Sequence, residues 1–221
     1  MNSELPNWAE FRWKGLKIMN DLFLYDKAIK ADFPLLCGVD EAGRGPLCGP
    51  VCCAAVILKD DFCCDEINDS KKISEKKREK LFDIIIENCV SYSIVFVEPH
   101  IIDDINILNA SLLGMKQAVK QLNLTPNMVI VDGNKVPPQM EIETKAVVKG
   151  DAKSLSIAAA SILAKVSRDR YMQNLHEQYP QYRLDKHKGY PTKLHYEMLA
   201  EYGIQDFYRR SFLKNRPELL K

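Results

Sequence analysis

Apolar and polar positions along this chain follow two periods, and together they predict a succession of strands and helices. Strand-like apolar runs or alternations occupy residues 35–40, 51–58, 90–97, 128–131 and 142–148. Apolar residues that recur every three or four positions predict helices at residues 7–31, 74–88, 111–122 and 154–178. Strands and helices that alternate in this way indicate an α/β protein with a central mixed β-sheet flanked by helices.

The helix predicted at 154–178 differs from the others, because residues 157–164 are small and apolar almost all round. Such a helix is usually central and closely packed. The last forty residues are predicted to be helical and basic, with a turn at Lys188-Gly189-Tyr190-Pro191. The pattern therefore divides the chain into a helical N-terminal extension (1–34), an α/β domain (35–180) and a C-terminal helical subdomain (181–221).

The composition is that of a globular protein with a substantial core. Of its 221 residues, 46% are hydrophobic and 28% are charged, and the net charge is +1. The charge is uneven, because residues 183–221 carry nine Lys and Arg against five Asp and Glu. This excess is compatible with a phosphate-contacting surface and equally with a solvated basic face. The phosphate-contacting surface would be formed by Lys186, Lys188, Lys193, Arg209, Arg210 and Lys214.

The seven cysteines include no CxxC pair and show no zinc-finger spacing with the four histidines. They are expected to be free thiols, buried as small hydrophobic residues in a reducing compartment. The N-terminal residues lack the pattern of a signal peptide, and no apolar run reaches the ~18 residues needed to span a membrane. We therefore expect a cytoplasmic monomer without membrane contact.

Acidic residues follow the predicted strands at three places. Asp40 and Glu41 come directly after an apolar run, Asp132 follows residues 128–131, and Asp151 precedes the long helix. Each alone has an ordinary interpretation as a loop acid, a turn former or a helix N-terminal acid. Together they predict a carboxylate cluster at one edge of the sheet. Such a cluster needs cations, and two divalent ions there could hydrolyse a phosphodiester.

A Gly-Arg-Gly turn, Gly43-Arg44-Gly45, follows the first two acids. Glycine permits close approach of the backbone to a ligand, and the planar arginine fork can grip a phosphate. No dinucleotide-binding or Walker pattern follows this turn. Asp169 lies inside the long helix between two arginines, and we expect it to be an ion-pair partner rather than a metal ligand.

The segment 38–51, which contains both the first acids and the Gly-Arg-Gly turn, resembles the opening motif of bacterial ribonuclease HII. The resemblance extends in order over about residues 35–212. Its further segments are 69–72, 109–111, 131–134, 149–151, 158–170 and 187–192. The arginine at position 44 favours this family over the sister ribonuclease HIII, which has Gly-Lys-Gly in that place.

The resemblance implies a ribonuclease H-like fold and a site in which four acids are catalytic and bind Mg²⁺ or Mn²⁺, with two ions per site. These acids are Asp40, Glu41, Asp132 and Asp151. It implies substrate contacts from Gly43, Arg44, Gly45, Tyr190, Lys71 and Lys188. In this arrangement the Gly-Arg-Gly turn contacts the 2′-hydroxyl and phosphate at an RNA–DNA junction, and Tyr190 packs against the next sugar.

The expected function is that of an endoribonuclease that cleaves the RNA strand of RNA–DNA hybrids. We also expect incision of duplex DNA on the 5′ side of embedded ribonucleotides, leaving a 3′-hydroxyl and a 5′-phosphate. Such an enzyme would serve ribonucleotide excision repair and DNA replication. One alternative is a ribonuclease H-like nuclease that acts on another nucleic-acid structure. The other is a non-catalytic hybrid-binding module, which would have no need of four clustered acids.

Overall fold

The computed structural model describes residues 20–67 and 73–220, in which five strands form one mixed sheet. In chain order the strands and α-helices are α1 (Asp21–Lys30), β1 (Leu36–Ala42), β2 (Val51–Leu58), α2 (Glu75–Glu87), β3 (Cys89–Val97), α3 (Pro99–Lys120), β4 (Met128–Asp132), β5 (Thr144–Val147), α4 (Leu155–Gln178), α5 (Leu184–His187) and α6 (Lys193–Tyr202). The strand order across the sheet is β3-β2-β1-β4-β5. Strands β1, β2 and β3 are antiparallel neighbours, whereas β4 and β5 run parallel to β1. The predicted α/β class and mixed sheet are confirmed.

Helices cover both faces of the sheet. Successive side chains of a strand point to opposite faces, so an apolar strand such as β2 has side chains to bury on each face. On β2, Cys52 packs with α2 and α4 on one face, whereas Cys53 packs with α3 on the other. Four of the cysteines are buried as predicted, but Cys63 is exposed, so the prediction is wrong for that residue. All seven thiols are free.

Helix α4 is the central helix that the apolar segment predicted, and its residues from Leu155 to Ala164 are all buried. The small side chains allow its axis to approach the sheet closely. At the closest approach, a Cβ atom on Gly38 of β1 would overlap the main chain of Ser156. This glycine therefore determines where the first turn of α4 sits on β1.

Several boundaries differ from the sequence prediction. Helix α3 begins at Pro99 rather than at residue 111, and it is interrupted at Asn106, which has φ 66° and ψ 163°. The Asn106 side chain accepts a hydrogen bond from Asn109 N at 3.1 Å, so it caps the second half of the helix. Strand β5 is shorter than the predicted strand at 142–148. Of the helix predicted at 7–31, residues 7–19 lie outside the described residues.

The C-terminal part is helical as predicted, with short 3-10 helices at 180–182, 210–213 and 217–220 beside α5 and α6. Its apolar residues share one cluster with Leu47, Cys48 and Met172. The division into three parts stays a prediction. No helix in the described ranges has both the length and the apolar character that a membrane crossing requires.

Candidate active site

Two of the predicted acids lie at the same edge of the sheet, on neighbouring parallel strands. Val39 of β1 is paired with Val131 of β4, and Asp40 and Asp132 are the next residues on the two strands. Neighbouring strands are about 4.8 Å apart, so these two carboxylates start from adjacent positions. Glu41 follows Asp40 on β1.

Asp40 is buried, with 5% of its surface exposed. Burial, followed by the nearby charges of Glu41 and Asp132, raises the pKa of Asp40 well above its usual value. Hydrogen bonds from the Ser161 hydroxyl and from Glu41 N, which lies 2.7 Å from Asp40 Oδ1, oppose this rise in pKa. An ionised cluster here therefore requires added positive charge.

The fourth predicted acid, Asp151, lies in a tight turn before α4 that is hydrogen-bonded to Asp132. Gly150 N donates a hydrogen bond to Asp132 Oδ1 at 2.6 Å, and Gly150 opens a 3-10 turn that contains Asp151. Asp151 is 9% exposed. A main-chain hydrogen bond thus connects the peptide that carries Asp151 to the carboxylate of Asp132.

The donor set fits a hard divalent cation, because all four side chains offer carboxylate oxygens and the charges of Glu41 and Asp132 both act against ionisation of Asp40. Within residues 20–67 and 73–220, no three His, Cys, Asp or Glu side chains already form a metal-holding group. A cation would relieve the repulsion that raises the pKa of Asp40.

The Gly-Arg-Gly turn follows β1 directly. Gly43 has φ +98°, and a Cβ atom there would collide with the side chain of Arg168, so only glycine fits. Gly45 is different, because a Cβ atom there would lie 3.6 Å from Tyr190 Cε1, which is an ordinary contact. Arg44 is half exposed, and its guanidinium lies 3.4 Å from Glu41 Oε1.

A buried arginine, Arg209, fixes the main chain of this turn. It donates hydrogen bonds to the carbonyl oxygens of Gly43 (2.7 Å), Pro46 (2.9 Å), Gly49 (2.9 Å) and Arg44 (3.1 Å). Its exposed fraction is 0%. The expectation that Arg209 contacts phosphate directly is therefore wrong, because its donors are occupied by main-chain carbonyls. Burial, and then the charge of Arg168, lowers the pKa of Arg209 to about 9.

A second buried arginine, Arg168 of α4, acts in the same way. It donates to the carbonyl oxygens of Pro50 (3.1 Å), Lys188 (3.1 Å) and Cys48 (3.2 Å). It thereby joins the turn after β1 to the segment that contains Tyr190. The sequence offered no signal for either role, since an arginine in a charged stretch is usually exposed.

Tyr190 lies beside Gly45 and is 43% exposed, so it is not a core tyrosine. Its segment is held by Gly189 O, which accepts from Leu47 N at 2.8 Å. Tyr190 O accepts from His195 Nδ1 at 2.9 Å, and the rings of His187 and His195 stack with centroids 4.1 Å apart. The tyrosine ring is therefore exposed on a firmly held main chain.

The remaining predicted residues are distributed as follows. Lys71 lies outside the described residues, and Lys188 adjoins the site through its carbonyl, which accepts from Arg168. Asp169 is an ion-pair partner as predicted, with Lys165 Nζ at 2.7 Å and Arg78 at 4.0 Å. Of the proposed basic face, Lys186, Arg210 and Lys214 are exposed, as is Lys193.

The mixed sheet, the acids on neighbouring strands β1 and β4 and the adjoining Gly-Arg-Gly turn agree with a metal-dependent hydrolase of ribonuclease H-like fold. Residues 37–215 match the sequence profile of the family described as Ribonuclease HII. The chain therefore belongs to the ribonuclease HII family.

Individual proteins agree with this assignment. The ribonuclease HII of Caldicellulosiruptor saccharolyticus is 50% identical over 192 residues, which cover 87% of this chain and 93% of that protein. A Shewanella ribonuclease HII is 52% identical over 182 residues, or 80% of this chain and 87% of the relative. The crystal structure of the ribonuclease H2 from Pyrococcus horikoshii matches with a TM-score of 0.71 at 29% identity, covering 84% of this chain and 96% of that one.

Proposed function

We propose that this ribonuclease H cleaves the RNA strand of RNA–DNA hybrids and incises duplex DNA on the 5′ side of an embedded ribonucleotide. The products would carry a 3′-hydroxyl and a 5′-phosphate. The observation that supports this substrate class is the exposed surface formed by Arg44, Gly45 and Tyr190 next to the acids. A 2′-hydroxyl distinguishes RNA from DNA, and an open main chain at a glycine can contact it.

Asp40, Glu41, Asp132 and Asp151 would hold two Mg²⁺ or Mn²⁺ ions, which supply an activated water and stabilise the leaving oxygen. The protein's part in the reaction is to hold the four carboxylates in place, and the bound cations would favour their ionised form. Ser161 and Glu41 N hold Asp40, and Gly150 N holds Asp132. These hydrogen bonds orient the acids before the substrate arrives.

Arg44 would contact a phosphate of the cleaved strand, since its guanidinium is half exposed and close to Glu41. Tyr190 would pack against the sugar that follows the ribonucleotide. The buried guanidinium groups of Arg168 and Arg209 place positive charge behind the turn, which favours a polyanion in front of it. Lys71 and Lys188 would add phosphate contacts, and a monomer would suffice for this chemistry.

The test compares three duplexes, with and without Mg²⁺: all DNA, DNA with one ribonucleotide, and an RNA–DNA hybrid. We expect metal-dependent cleavage of the second and third only, with end mapping that gives a 3′-hydroxyl. Asp132→Asn should abolish cleavage and leave hybrid binding nearly intact, because binding rests mainly on phosphate contacts. Asp169→Asn is the matched control and should retain cleavage. Cleavage of the all-DNA duplex would favour a nuclease of other specificity, and binding without cleavage would favour a binding module.

A further inference from the structure

A buried carboxylate in α1 contacts the N-terminus of the central helix. Asp26 is 4% exposed, and it precedes the residues 37–215 that match the family profile. Its Oδ1 accepts a hydrogen bond from Ser154 Oγ at 2.6 Å, and its Oδ2 accepts from Ser156 N and Ser156 Oγ, both at 2.7 Å. Burial raises the pKa of Asp26, and the hydrogen bonds from the two serines act in the opposite direction.

These contacts complete the cap of α4. Ser154 is the N-cap residue, and its Oγ accepts from Ile157 N at 3.2 Å while it donates to Asp26. The first N–H groups of a helix have no partner within the helix, and a negative charge beside them is favourable. Asp26 supplies both the acceptor and the charge from a helix 128 residues earlier in the chain.

The capped end of α4 is connected to the acidic cluster by further hydrogen bonds. Ser154 N donates to Gly150 O at 2.8 Å, and Gly150 N donates to Asp132 Oδ1 at 2.6 Å. Asp151 lies between Gly150 and Ser154 in the same turn. A displacement of Ser154 would therefore move both the peptide that orients Asp132 and the residue Asp151.

We propose that Asp26 is a positioning residue for the acidic cluster. In this role α1 helps to hold the catalytic acids in place. The inference rests on the proposed function in one respect, namely that the four acids bind divalent cations. Loss of a partner that orients a metal ligand typically lowers metal affinity by 10- to 100-fold. Asp26 acts through intervening groups, so we expect Asp26→Asn to weaken Mn²⁺ binding by at least about fivefold.

The experiment measures Mn²⁺ binding by calorimetric titration of the full-length protein, well below its melting temperature. It compares wild type, Asp26→Asn, Ser154→Ala and the control Asp32→Asn, an exposed acid just after α1. Hydrogen exchange of the amides of residues 150–157 is followed in parallel. We expect weaker Mn²⁺ binding and faster hydrogen exchange in Asp26→Asn and Ser154→Ala, whereas hybrid binding without metal should be unchanged. The control should match wild type.

A purely structural role predicts a different result, namely a lower melting temperature with unchanged Mn²⁺ affinity and unchanged exchange at residues 150–152. That result would overturn the inference. Should Asp26→Asn fail to fold, Ser156→Ala takes its place, because it removes one hydrogen bond to the Asp26 carboxylate and leaves the Ser154 cap of α4 in place. A wild type that binds Mn²⁺ but cleaves no hybrid would contradict the proposed function alone, since the affinity comparison does not depend on cleavage.

Discussion

The two glycines on either side of Arg44 should respond differently to replacement by alanine, because the protein's own packing tolerates a methyl group at only one of them. Gly43 has a positive φ of +98°, and an added methyl group there would collide with Arg168. At Gly45 the added methyl group would meet only Tyr190 Cε1 at 3.6 Å. The protein itself therefore requires glycine at position 43 but not at position 45.

The stability change follows from these contacts. A left-handed backbone costs a non-glycine residue about 1–2 kcal/mol. Displacement of Arg168, which holds three carbonyl groups, raises the total for Gly43→Ala to about 3 kcal/mol. For a chain of this size that is a fall in Tm of about 6–12 °C. Gly45→Ala should change the free energy of unfolding by less than about 0.5 kcal/mol, a shift within about 2 °C.

Gly45→Ala should nevertheless lower the cleavage rate strongly, although it leaves the stability of the protein almost unchanged. A methyl group at position 45 would stand on the surface that we propose meets the ribose at the junction. Misplacement of reacting groups by about 1 Å can lower the rate by about 10²-fold, and we expect a loss of that order. The assay is single-turnover cleavage of a duplex with one ribonucleotide, together with differential scanning calorimetry of both variants.

Two outcomes would refute this reasoning. Cleavage by Gly45→Ala within threefold of wild type would mean that the substrate does not approach the main chain there. A fall in Tm as large as that of Gly43→Ala would mean that position 45 is constrained by the protein itself, and that any lost activity says nothing about the ribose.

Three further predictions concern the surroundings of the turn. Tyr190→Ala should lose more rate on a single embedded ribonucleotide than on a continuous hybrid, and Tyr190→Phe should retain most of both; equal losses with a lower Tm would indicate a structural role. Burial lowers the pKa of His195 to about 4, so the unfolded chain, with a histidine pKa near 6.5, binds the extra proton first. The contribution of His195 to the free energy of unfolding is thus complete above about pH 6.5 and is lost as the pH falls towards 4. The loss should be about 2 kcal/mol at pH 5, and His195→Asn should flatten this part of the stability–pH curve. Arg209→Met leaves four carbonyls without their donor, so we expect a loss of at least about 3 kcal/mol in urea titrations; a loss below 1 kcal/mol would mean that water or a neighbour replaces the guanidinium.

The local pattern of the sequence was sufficient for most of the strands and helices, and it placed two of the predicted acids on neighbouring strands. The period of apolar residues identified β1, β2 and α4, because each packs an apolar face or a wholly apolar surface into the core. Asp40 and Asp132 could be assigned to one edge because each comes directly after an apolar run. The same reasoning missed the first half of α3, since the interruption at Asn106 breaks the helical period.

The contacts that support the site were decided by the tertiary structure alone. Arg209 lies in a basic stretch that the sequence predicts to face solvent, yet it is buried against the turn after β1. There it donates to the carbonyl of Pro46, which is 163 residues earlier in the chain. Asp26 lies in a segment for which the sequence suggested no role, yet it caps α4. Each depends on a donor and an acceptor that meet only when distant segments pack. A local pattern records which face of a segment is apolar, but it carries no record of which distant carbonyl or helix end that segment will meet.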